Sequence, residues 1–88
     1  MTKYSLQLLL SLNDNKINNS LDALCIREIL AHLRSGLEKS YSTTYRHLKV
    51  LIKLGYIQVG EYDDEKALTY FITEKGRLFC ESQFKKAV

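Results

Sequence analysis

Residues 42–57 read STTYRHLKVLIKLGYI: a polar opening, apolar and basic side chains at helical intervals, then a glycine and a strand-like tail. The pattern predicts a helix over about 40–54. In it Tyr41, Tyr45, Leu48 and Ile52 recur at spacings of four, three and four, and with Leu51 in support they form the face expected to turn inward. At about 100° per residue the opposite side collects Thr43, Arg46, His47 and Val50, flanked by Ser42, Lys49 and Lys53. Gly55 is a natural stop, because glycine reaches the left-handed conformation at little cost.

Charge sharpens the interest of this outer face. The formal net charge is +3 and the sequence pI about 8.9, a mild excess that becomes informative because it is unevenly placed. From Lys39 through Gly60 the charged residues are Lys39, Arg46, Lys49 and Lys53, with no acid among them. The acids gather directly afterwards in EYDDE, residues 61–65. Taken alone, a basic helix face is most often a solvated surface. Val50, in its midst, is an ordinary exposed apolar residue or a side chain suited to a thymine methyl.

Upstream, Tyr4, Leu6, Leu9, Leu10 and Leu12 predict a first helix over about 3–13, ended by NDNKINNS, where Asn19 or Ser20 is placed to cap the second helix. Over 21–37, Leu21, Leu24, Cys25, Ile29, Leu30, Leu33 and Leu37 mark one buried helical face, opposite Arg27, Glu28, His32 and Arg34, with Gly36 as its stop. Two starts fit this helix: near Ser20, or at Ile26 after a short extended piece. Downstream, YIQVGEY and ALTYFIT read as two strands around the charged turn DDEK, an antiparallel hairpin in which Tyr62 and Tyr70 are expected to pair or share the core. Thr73 is placed to cap a last helix, EKGRLFCESQFKKAV, with Leu78, Phe79 and Phe84 supplying its apolar contacts.

The order is therefore helix, helix, helix, hairpin, helix, an α+β and mainly α chain expected to form one domain over residues 1–88. Hydrophobic residues at 45% and charged residues at 26% are ordinary globular usage. The opening stretch with LQLLLSL is too short for a signal sequence, and nothing approaches the roughly 20 apolar residues of a membrane span, so cytoplasmic residence and no membrane contact are expected. Cys25 and Cys80 lie far apart without CxxC spacing and read as reduced, buried thiols. His32 and His47 lack zinc-site spacing, and Glu28 with His32 lacks the rest of an HExxH motif. No enzyme activity, metal or cofactor is expected.

STTYRHLKVLIKLGYI with a hairpin after it and then ITEKGRLF resembles the winged helix-turn-helix domain of bacterial transcriptional regulators, with the PadR and MarR types the nearest likeness. The resemblance covers nearly the whole chain. It implies a regulator that binds double-stranded DNA, with residues 26–33 as the first helix of the motif and the helix over 40–54 in the major groove. Carried over by position, it places Ser42, Thr43, Arg46 and His47 near bases or phosphates, and Lys49 and Lys53 nearer the backbone. Such proteins are usually dimers through terminal helices, so Phe84 folds back on the first helix or meets a second copy. One departure stands out: many relatives have a basic wing tip, whereas Asp63, Asp64 and Glu65 here oppose a polyanion and leave only Lys66 to offset them. A second use of the same fold therefore stays open, a protein-interaction module whose acidic wing takes a protein partner without direct DNA reading.

Overall fold

The computed structural model describes residues 1–62 and 64–86, the last three by backbone alone. The expectations placed on Asp63 and on the side chain of Phe84 lie outside the described residues. The chain is α+β, about half helical, with four helices and a three-stranded antiparallel sheet. No helix among the described residues is long and apolar enough to cross a membrane.

Thr2 opens α1 (Lys3–Asp14) by accepting the Ser5 N–H at 3.2 Å. Tyr4, Leu8, Leu9 and Leu12 are buried on it, so Leu8 joins the expected stripe while Leu6 and Leu10 stay half-buried. Past Asp14, Lys16 takes a left-handed φ of 57° and the Ile17 N–H returns to the Leu12 carbonyl at 2.9 Å. This is the geometry that ends a helix. Asn19 then accepts the N–H groups of Leu21 and Asp22, closing a turn instead of capping a helix.

The second helix is shorter than its stripe suggests. Leu24 and Cys25 form a strand, β1 (Leu24–Cys25), and α2 (Ile26–His32) begins directly after it, with Glu28 accepting the Cys25 N–H at 3.1 Å. Of the two starts compatible with the sequence, the later one is found. Leu21 is outside the helix and 85% exposed. The helix ends at His32, where Leu33 turns extended yet still packs on the core, and Gly36 serves a turn four residues later with φ of 90°. Leu37 is exposed.

Ser40 caps α3 (Tyr41–Lys53), its Oγ accepting the Thr43 N–H at 3.2 Å, and Gly55 leaves it with φ of 82°. The face that turns inward is not the expected one. Thr44, Leu48 and Leu51 are buried, His47 and Ile52 half-buried, and Tyr41 and Tyr45 lie exposed, a rotation of roughly 60° at 100° per residue. Thr44 can be buried because its hydroxyl meets Tyr4 Oη of α1 at 2.8 Å, which leaves no unpaired polar group and lets the two helices approach. The rings of Tyr41 and Tyr45 keep their hydroxyls near water at no such cost.

Two further strands, β2 (Ile57–Val59) and β3 (Thr69–Ile72), form the antiparallel hairpin, and the sheet order is β1-β3-β2. Ile57 stands opposite Ile72 and Val59 opposite Tyr70. Tyr70 is buried, and burial, with smaller contributions from Tyr45 and Tyr41, pushes its phenol up to about 12. Tyr62 does not pair with it: Val59 takes the place opposite Tyr70, the Glu61 N–H goes to the Ser20 carbonyl, and Tyr62 is exposed. Leu24 of β1 takes the other side of Tyr70.

Thr73 caps α4 (Glu74–Lys86) as expected, accepting the Gly76 N–H at 3.1 Å while donating to the Gly55 carbonyl at 2.6 Å. Phe79 stacks on Tyr56 with centroids 4.7 Å apart and Cys80 is buried, but Leu78 points to solvent. Cys25 and Cys80 are both buried, and burial first, then the Asp14 charge, pushes Cys80 up to about 11, so it stays protonated at neutral pH. Gly76 packs so tightly that a β-carbon there would collide with the Tyr56 carbonyl oxygen and crowd Ile72 Cγ1 at 2.8 Å. Gly76→Ala is accordingly expected to cost about 1–3 kcal/mol in urea unfolding, whereas a loss under about 0.5 kcal/mol would show that α4 is free to shift.

Candidate functional site

With Leu48 and Leu51 in the core, the exposed side of α3 is set by helical phase alone. Ser42, Arg46, Lys49 and Lys53 all lie on it, exposed and near its centre. Thr43 is half-buried beside them and is held by the cap: its Oγ1 accepts from Ser40 Oγ at 3.0 Å and from the Arg46 guanidinium at 3.4 Å. Val50, 49% exposed, sits on the edge nearer α1, and Tyr45 on the other edge with the Lys49 ammonium 5.5 Å from its ring centroid. The ion pairs among the described residues use Arg27 and Arg77, and none of them draws on α3. Its cations face water.

His47 is placed differently from the other five expected residues. Its Nδ1 lies 2.8 Å from Ser5 Oγ and 3.2 Å from Thr2 Oγ1, and its ring meets Tyr4 edge to face at 5.1 Å. It braces α3 against the first turn of α1. Tyr4 extends the same brace: besides Thr44, its hydroxyl accepts the Lys39 N–H at 3.1 Å, and the Lys39 ammonium lies 5.6 Å from its ring. The angle at which α3 presents its outer face is therefore held by hydroxyls, an imidazole and a phenol from two helices.

Between α1 and α3 is a shallow hollow of about 450 Å³ lined by Met1, Thr2, Ser5, Arg46, His47 and Val50. A second hollow of about 460 Å³, mostly apolar, lies between α2, the start of α3 and the β2–β3 loop, with Leu30, Tyr41 and Leu68 on its walls. The loop beside it carries exposed Asp64 and Glu65, and Glu65 pairs with Arg27 of α2 at 3.6 Å. Both partners are more than 70% exposed, so the pair positions the loop weakly.

Sequence reasoning missed the exposure of Tyr41 and Tyr45 and the contribution of Thr2 and Ser5. A usable signal existed for the tyrosines. Centring the outer face on Ser42, Arg46, Lys49 and Lys53, instead of centring the inner face on the aromatics, selects the stripe Thr44, Leu48 and Leu51. Thr2 and Ser5 reach His47 through tertiary contact over more than forty residues, which no local pattern reports. Comparison of the chain with protein-family models, with curated proteins and with solved structures gives no match.

Proposed function

We propose that this is a winged helix-turn-helix protein that binds double-stranded DNA in a sequence-specific way and regulates transcription. In this reading α2 and α3 are the helix-turn-helix, α3 enters the major groove, and the loop joining β2 to β3 is the wing. The observation that carries it is the exposed outer face of α3, where Arg46, Lys49 and Lys53 stand on a helix whose other side is locked in the core.

Physical reasons favour this use. A helix of about 10–12 Å diameter fits a major groove about 12 Å wide. Lys49 and Lys53 would take phosphates and set position, and Arg46 can donate two hydrogen bonds to a guanine edge. Ser42 lies near the amino end of α3, where short hydroxyls reach bases or phosphates. His47, braced against α1, acts by holding α3 at its angle and not by touching DNA. The acidic loop is repelled by phosphates, so the wing adds little to affinity. Two copies side by side would present two such helices to half-sites about one DNA turn apart.

Selection from a pool of random duplexes tests the reading. Enrichment of a defined site is expected, with Arg46→Ala losing roughly 1–3 kcal/mol on that site and relaxing preference at one guanine. A pool that stays random after repeated rounds would overturn it.

A further inference from the structure

Val50 is an unexplained residue on the outer face of α3. It contributes nothing to the core, being 49% exposed, and a β-branched residue lowers helix propensity where Lys or Gln would raise it. It stands beside Lys49, one turn after Arg46 and three residues before Lys53, so its methyl groups are the apolar element within a cationic surface. Of the other apolar groups near this face, Tyr41 walls the hollow beside α2, Tyr45 has the Lys49 ammonium over its ring, Leu54 lies past the last turn of α3, and Met1 lines the same hollow as Val50 from outside the helix. Val50 shares its hollow with Arg46 and, among the described residues, with no carboxylate.

We propose that Val50 reads the 5-methyl group of a thymine lying within about two base steps of the guanine held by Arg46. The inference rests on the DNA-binding reading and adds to it a base, an atom and a spacing. In the major groove only thymine presents a methyl group, and an apolar side chain is its complement. The spacing comes from the helix: four residues advance about 6 Å along its axis, and stacked base pairs are about 3.4 Å apart. Val50 suits the task because its χ1 is held in one rotamer by the helix, so contact costs little side-chain entropy.

Replacing thymine by deoxyuridine deletes that methyl group and leaves the Watson–Crick pair intact, which gives a direct test. On the site recovered by selection, each thymine would be exchanged in turn and affinity measured by anisotropy for the wild type and for Val50→Ala, a surface change that leaves the core alone. One exchange within two steps of the Arg46-dependent guanine is expected to weaken the wild type about fourfold, the worth of one buried methyl group, and to leave Val50→Ala unchanged. Wild-type binding indifferent to every exchange, or Val50→Ala as sensitive as the wild type, overturns the inference while the DNA-binding reading stands. Failure to bind any duplex overturns both.

Discussion

Leu51→Ala is expected to lower stability by about 2–5 kcal/mol, because it removes a fully buried side chain and leaves a cavity between α3 and its neighbours. For a domain of this size the whole margin is of order 4–13 kcal/mol, so the urea midpoint falls sharply while the slope of the transition stays the same. Tyr41→Ala, on the same helix, should cost no more than about 0.5 kcal/mol, since the ring is 64% exposed. The contrast tests the phase of α3. If the tyrosine proved the costlier loss, the aromatic stripe would be the buried one and the basic face would be turned by about 60°.

Arg46→Ala combined with Lys49→Ala is expected to weaken duplex binding roughly 10- to 100-fold and, because Lys49 is the phosphate contact of the two, to reduce the dependence of log affinity on log salt by about one. The two residues are to contribute differently: Arg46→Ala alone relaxes base preference, whereas Lys49→Ala weakens all sequences nearly alike. Both side chains are exposed and make no ion pair with an acid among the described residues, so the fold should be unaffected, and unchanged urea unfolding of the double variant would confirm that the loss belongs to the interface. Equal binding by the double variant and the wild type would take the outer face of α3 out of the contact.

The contrast between Tyr45 and Thr44 shows how far the sequence can be read. The existence of α3 and its Gly55 stop come from local chemistry, as does the Thr73 cap of α4, and these features are found. Hydrophobicity alone then ranks tyrosine above threonine for burial. The chain reverses that ranking because Tyr4, forty residues away, supplies the partner that a buried threonine hydroxyl needs. Leu24 and Cys25 fit a helical stripe yet form a strand for a related reason. Adjacent apolar residues satisfy helical spacing as well as strand pairing, and the decision rests with Tyr70 and Thr69 of β3, their partners across the sheet. Of the expected site, Ser42, Arg46, Lys49 and Lys53 come together on one solvated face, Thr43 is drawn into the cap, and His47 is turned toward α1. The placement of His47 is out of reach of periodicity because the groups that turn it, Thr2 and Ser5, belong to another part of the chain.

The most direct measurement is the affinity of the wild-type chain for a labelled random duplex, read by anisotropy across a series of salt concentrations. With Lys49 and Lys53 displacing counterions at about 0.9 per phosphate contact, log affinity should fall against log salt with a slope near −2 per chain. Absence of binding at low salt, or binding indifferent to salt, would contradict DNA binding through α3 and leave its basic face as a solvated surface.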